Sequence, residues 1–337
     1  MRMTSAALRY FLEIVRSGSL REASERLNVA ASALSRQVRK LEHEAGMALF
    51  ERGPRGMVLT GAGEAYARYA RAVALEHDRV RAELAEIRGL RRGTVRVASV
   101  EGLVADVLPL AIAGFLATHR GMRVKLTTLG TDDVIAAVRD GEADVGVSFH
   151  ARADAAVRCV RRVRDPLVAV VHPAAPLAAR RRLTLSEALQ GPLALPEPGF
   201  GIRRLVDDEA RRLGVVVQPL LETNSIEALR SFARSGAGLS LLPRRSCGGD
   251  VTAGRVVPLP MAEPALRGAS TDLSVLAGRR LPGAIDAFVH RVEAALATSG
   301  EAPAAGEPGT AAGTPSERSF DSPEQPIRGR SEAAAAT

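Results

Sequence analysis

The chain has 337 residues, 46% of them apolar and 25% charged, with a formal net charge of +8. That length and apolar content point to two or three folding units, which excludes a single small domain and a chain disordered throughout. Of 46 basic residues only Lys40 and Lys125 are lysine; arginine's bidentate geometry makes nucleic acid the first partner class to test, with codon bias as the other source of the excess.

Leu8, Phe11, Leu12 and Val15 form an i, i+3, i+4, i+7 stripe, which predicts a first helix capped by Thr4 or Ser5 and ended at Gly18. Ser19 and Glu22 read as an S-x-x-E capping box opening a second helix with Ala23 and Leu27, and Asn28-Val29 supplies a tight turn. A third helix carries Leu34, Val38 and Leu41 on one face. Its opposite face carries Ser32, Arg36, Arg39 and His43, with Ser35 and Lys40 on the shoulders. Residues 49–60, LFERGPRGMVLT, read as two short strands around a hairpin tip that presents Arg52 and Arg55. Capping box, tight turn, basic helix and basic hairpin, in that order, make a winged helix-turn-helix. Its outer helix face suits base edges in the major groove, and its hairpin arginines suit the minor groove.

The fragments SLREASERLNV, ALSRQVRKLE, LFER and LTGAGE, in this order and spacing over about sixty residues, resemble the N-terminal domain of LysR-type transcriptional regulators. The resemblance implies that the first turns of the recognition helix contact DNA through Ser32, Ser35, Arg36 and Arg39, and the wing through Arg55. This sequence departs from the family's pattern at Ala30-Ala31, where Ser-Gln is common. The expected cost of the missing cap is ~1 kcal/mol unless Ser32 caps a helix starting two residues later, and the family's half-site preference does not carry over unchanged.

From Gly61 to Gly89 no helix breaker interrupts a pattern in which Tyr66, Val73, Val80 and Ile87 recur every seven residues, broadened by Tyr69, Leu84 and Leu90. About four heptads of this kind predict a long helix whose seam, Tyr66, Val73, Val80, Leu84 and Ile87, pairs with a second copy. The resemblance implies the same, as a dimer or tetramer.

Residues 93–298 alternate strands with helices, the rhythm of an α/β fold with flanking helices. Expected strands include 94–99, 124–129, PLVAVVH, PLALPE and LSLLP, and expected helices include 103–119, 202–213, 225–235 and 282–297. GTVRVAS, GEADVGV and ETNSIEALRSFARSGAGLSLLP resemble the effector domain of the same family, similar to type 2 periplasmic binding proteins. The organisation that follows is a winged helix-turn-helix at 1–60, a linker helix at 61–92 and a two-lobed α/β effector domain at 93–298. Lobe one takes 93–163 and 269–298, lobe two 164–268. The last 39 residues, 299–337, hold five prolines and little apolar bulk, and read as a disordered acidic tail.

Ligands of open α/β sheets bind beyond the carboxyl ends of strands, beside helix N-termini. That rule selects Ser99 and Val100, Thr131 with Asp132, Pro198 to Gly201, and Thr223 to Ser225. The resemblance maps effector-binding positions onto Ser99, Thr131, Phe200 and Thr223. Asp132 disfavours a plain carboxylate ligand there unless an arginine such as Arg203 offsets it.

Enzyme signatures are weak. Gly146-Val147-Ser148-Phe149-His150 lacks the last glycine of a nucleophile elbow, and no P-loop or complete dinucleotide fingerprint occurs. Six histidines never fall in metal-ligand spacing, so neither a metal nor a cofactor is expected. Cys159 and Cys247 form no CxxC, which suits a reducing cytoplasm and leaves a redox pair as a minor reading. Charged residues interrupt the N-terminal apolar pattern, and no run of ~18 apolar residues offers a membrane span. The reading is a ligand-responsive transcription regulator, with promoter DNA, a small-molecule effector, a second copy and RNA polymerase as partners. A solute-binding or enzymatic α/β protein, and a DNA-binding protein without an effector, stay open as alternatives.

Overall fold

In a computed structural model, residues 6–53, 56–87 and 93–298 are described. Thr4, Ser5, Arg55, the Leu90 end of the linker and the 299–337 tail lie outside them.

Helices α1 (Ala6–Ser17), α2 (Leu20–Leu27) and α3 (Ala31–Ala45) close around Leu8, Phe11, Ile14, Ala23, Leu34, Val38 and Leu41. Ile14, rather than Leu12 or Val15, completes the buried stripe of α1; the latter two are half-buried. Only half of the expected capping box forms: the Glu22 amide donates to Ser19 Oγ at 3.4 Å, while the Glu22 carboxylate turns to Arg26 at 2.7 Å. Asn28 closes α2 in the left-handed region, φ 52°. Helix α3 starts at Ala31 with Ala30 as N-cap and no side-chain cap bond, so Ser32 does not delay it.

Strands β1 (Phe50–Gly53) and β2 (Gly56–Leu59) pair antiparallel as the wing. Two anchors fix it. The Glu42 carboxylate accepts the Leu49 and Phe50 amides at 2.9 and 3.2 Å, and the Met57 amide donates to Gly18 O at 2.7 Å. Helix α4 (Gly61–Ile87) then begins where Thr60 Oγ1 accepts the Gly63 amide at 2.9 Å. Its expected seam divides. Tyr66 packs edge-on against Phe11, ring centres 4.9 Å apart, and Val73 also packs on the head's own core, whereas Leu84 is exposed. The Ile87 side chain lies outside the described residues.

The remainder forms two lobes. In chain order the elements are β3 (Gly93–Ser99), α5 (Leu108–Thr118), β4 (Met122–Thr128), α6 (Thr131–Arg139), β5 (Val145–Phe149), β6 (Val157–Arg164), β7 (Leu167–Val171) and α7 (Leu185–Ala188). They continue with β8 (Leu193–Pro196), α8 (Gly201–Leu213), β9 (Leu221–Thr223), α9 (Ile226–Arg234), β10 (Leu239–Pro243), α10 (Gly248–Thr252), β11 (Val257–Pro260), α11 (Pro264–Arg267), β12 (Ser270–Leu276) and α12 (Gly283–Thr298). One sheet has the order β4-β3-β5-β12-β6, the other β11-β7-β10-β8-β9. Strands β5 and β7 are buried throughout, as central strands covered on both faces require.

The expected helix at 103–119 is shorter. A 3-10 turn, Glu101–Leu103, takes its beginning, and α5 starts only at Leu108 with Pro109 in its first turn. Strands β6 and β11 were not expected. The first is an arginine-rich edge, VRCVRRVR, bulged against β12 between Leu273 and Ser274; the second is the proline-bearing edge VPLP. Charge and proline are what edge strands tolerate, and they erase the apolar pattern that marks an interior strand.

Candidate functional sites: a basic helix face and an interlobe cleft

On α3, burial of Leu34, Val38 and Leu41 turns Ser32, Arg36 and Arg39 outward, all three exposed. Ser35 is half-buried and lines, with Arg39, Leu20 and Met57, a groove between α3 and the wing. Among the described residues neither Arg36 nor Arg39 has an ion-pair partner, in contrast to Lys40, which faces Glu44 at 3.8 Å. Arg52 lies in β1 beside that groove's wall; its side chain, like Arg55, lies outside the described residues. Exposed guanidiniums without acidic partners are available to phosphate and base edges.

The effector candidates gather at the carboxyl ends of strands from both lobes. Ser99 ends β3 and Val100 follows it, Thr131 opens α6 after β4, Phe200 is the N-cap of α8, and Thr223 ends β9. Several of their polar atoms are already engaged. Ser99 Oγ, fully buried, donates to Val100 O at 3.0 Å, and Thr223 Oγ1 accepts the Ser225 amide at 3.2 Å.

Thr131 and Gly201 join the lobes. Thr131 Oγ1 donates to Phe149 O at 3.0 Å and accepts the Gly201 amide at 3.3 Å. A Cβ on Gly201 would stand 2.1 Å from Phe149 O, so only glycine allows α8 to start this close to lobe one. Asp132 is indeed offset by an arginine, but by Arg204 rather than Arg203. Arg204 reaches Asp132 Oδ1 at 2.7 Å and His150 O at 2.9 Å, while Arg203 stays in lobe two with Asp207 and Glu222. Burial, helped by Arg204, holds the His150 imidazole below its usual range and so favours its neutral form.

Glu101 was not among the expected residues. From the turn after β3 its carboxylate crosses to lobe two, where Oε2 accepts the Ile226 amide at 2.8 Å and Oε1 accepts the Glu227 amide and Ser225 Oγ at 3.2 Å. An acid two residues beyond a strand end was the available sequence signal; its partner, more than 120 positions away, was not.

Ser148 lies inside β5, fully buried and opposite Asp272, so it presents no strand-to-helix elbow. Burial raises both thiols, Cys247 to about 12, which keeps them protonated. No group of metal-ligating side chains occurs among the described residues, and no described helix is long and apolar enough to cross a membrane.

Residues 5–64 match the family model described as bacterial regulatory helix-turn-helix protein, lysR family, and residues 88–297 match the LysR substrate binding domain. The chain belongs to the LysR family. Like other members of the LysR family, it is a DNA-binding transcription regulator with an effector-binding domain. It is similar to an uncharacterised HTH-type transcriptional regulator of Mycobacterium tuberculosis, 32% identical over 284 residues, covering 81% of this chain and 90% of that one. It is 28% identical over 242 residues to the RuBisCO operon transcriptional regulator of Allochromatium vinosum, covering 72% and 80%. In fold, this LysR-family chain resembles full-length OxyR from Pseudomonas aeruginosa, with a TM-score of 0.63, 22% identity and coverage of 87% and 95%. It also resembles full-length CbnR in complex with its target DNA, with a TM-score of 0.51, 22% identity and coverage of 86% and 98%.

Proposed function

We propose that Ser32, Ser35, Arg36 and Arg39 on α3, with Arg52 and Arg55 of the wing, contact promoter DNA. A small molecule held between the lobes by Ser99, Val100, Thr131, Phe200 and Thr223 then changes how that contact is made. The observation that carries the first half is the outward placement of Arg36 and Arg39, without ion-pair partners among the described residues, on the helix buttressed by the wing. The second half rests on Thr131, whose hydroxyl stands between Phe149 of one lobe and Gly201 of the other, where a ligand that alters lobe closure would act.

The functional units are 1–60, 61–92, the two lobes of 93–298 and the tail. The chain works as a homo-oligomer, with Tyr66, Val73, Val80, Leu84 and Ile87 of α4 meeting a second copy, Tyr66 and Val73 being shared with the chain's own head. Exposed Leu110 on α5 and Val216 and Leu220 after α8 offer further apolar surface for self-association. It acts in the cytoplasm, contacts RNA polymerase, and is a regulator rather than an enzyme, with no cofactor.

Thermal-shift screening of small acids and aromatics tests the effector half. A compound that raises the melting temperature of the wild type and fails with Thr131→Ala supports the assignment; equal stabilisation of both proteins refutes it.

A further inference from the structure

A helix begins with amide groups that have no partner within the helix. In α9 the first three are all satisfied, and by two residues. Ser225 Oγ accepts the Ala228 amide at 3.3 Å, and the Glu101 carboxylate takes the Ile226 and Glu227 amides together with the Ser225 hydroxyl. The donors belong to lobe two and the acceptor to lobe one. Hydrogen bonds to an ionised carboxylate at a helix N-terminus are among the stronger neutral-to-charged contacts in proteins.

The neighbouring residue shows that the approach is built in. A Cβ on Gly102 would stand 2.3 Å from Ser246 Oγ and 3.1 Å from Ser246 Cβ, so the turn bearing Glu101 lies directly against lobe two. Thr131 with Gly201, and Asp132 with Arg204, join the lobes elsewhere along the same seam.

We propose that Glu101 is the specificity-determining residue of the interlobe cleft: its carboxylate fills the position that α9 would offer to an acid, latching the lobes and excluding an effector carboxylate from that end. The proposal rests on the cleft being the effector site. An acid arriving at α9 would meet Glu101 as a like charge in a partly desolvated seam, and would compete with a tethered group at high effective concentration. The effector class that follows is one whose α9-facing end carries no negative charge.

Hydrogen exchange of the first turn of α9, measured on the full chain without any effector, tests this. The proteins are the wild type, Glu101→Ala and Glu101→Gln, each with acetate or chloride at matched ionic strength. In the wild type, the Ile226 and Glu227 amides are expected to be protected and indifferent to acetate. In Glu101→Ala, protection should fall about tenfold, and titrated acetate should restore it. Glu101→Gln, which keeps the shape and one acceptor, should fall between, and stands in if the alanine variant does not fold. Unchanged exchange in both variants would overturn the latch. Acetate protecting wild type and variant alike, or restoring neither variant, would overturn the exclusion. The Thr131→Ala thermal-shift screen fails or succeeds separately, so loss of the effector reading is distinguishable from loss of the latch.

Discussion

Arg71 of α4 and Asp140, the residue that closes α6, form an ion pair at 3.2 Å in which both side chains are largely covered. Beside it, Leu75 packs on Gly141 and Arg16 of α1 reaches Glu142 at 3.5 Å. Helix α6 therefore has the interlobe contact of Thr131 at one end and the head and linker at the other, about 13 Å away. A cavity of about 870 Å³ with a mixed polar and apolar lining, including Arg9, Glu13, Leu12, Leu75, Arg71 and Lys125, flanks this docking.

Arg71→Ala is expected to lower hydrogen-exchange protection in residues 139–143, and the charge exchange Arg71→Asp with Asp140→Arg to recover it. A double-mutant cycle on thermal unfolding should give a coupling of about 0.5–1 kcal/mol. Additive effects would mean that the pair does not join the two parts.

Ala30 leaves α3 without a side-chain cap. Ala30→Ser should therefore stabilise the head by about 1 kcal/mol, read as a higher melting temperature of its transition. No gain would show that the extended Ala30 backbone, φ −58° and ψ 136°, does not let a serine reach the first turn.

Asp250 is fully buried. Burial opposes its ionisation, but Arg230, Arg255 and Arg234, at 2.7, 2.7 and 3.2 Å, outweigh it and hold the carboxyl below its usual range. A depressed carboxyl contributes stability above its ordinary value of about 4 that is lost as pH falls through the lowered one. Asp250→Asn should cost about 3 kcal/mol at pH 7 and flatten the acid limb of a melting-temperature profile; an unchanged limb would assign acid sensitivity elsewhere.

Asp165 has the opposite sign. It lies where the chain first crosses between lobes, and burial raises it despite bonds from Thr271 Oγ1 at 2.8 Å and the Arg245 amide at 3.2 Å. A raised carboxyl contributes stability below its ordinary value and loses it as pH climbs through the folded one. Asp165→Asn, which can still accept from Arg245 and bond Thr271, should raise the melting temperature at neutral pH, with the advantage vanishing in acid. A loss of stability at neutral pH would show that the charge is needed at the crossing.

What the sequence disclosed follows from range. Helices α1 to α3 and the wing announce themselves through caps, turns and stripes a few residues long, and most of the interior strands through unbroken apolar runs such as LVAVV. Edge strands β6 and β11 carry arginine and proline instead, and no local pattern marks them. The outward side of α3, proposed to face DNA, was legible because burial of Leu34, Val38 and Leu41 dictates what points outward. The proposed effector site between the lobes was legible only as strand ends. That Arg204 rather than Arg203 meets Asp132, that Glu101 caps α9, and that Tyr66 packs on Phe11 depend on pairings 55 to 126 residues apart, which only the closed fold decides.

On the proposed reading, α3 recognises DNA through Arg36. Fluorescence anisotropy with the intergenic DNA upstream of the protein's own gene, against a scrambled duplex at several salt concentrations, tests it most directly. Specific binding by the wild type is expected, with a loss of about 1–3 kcal/mol of discrimination in Arg36→Ala and an unchanged melting temperature. Equal affinity of wild type and variant for the specific duplex, with the same salt dependence, would contradict it.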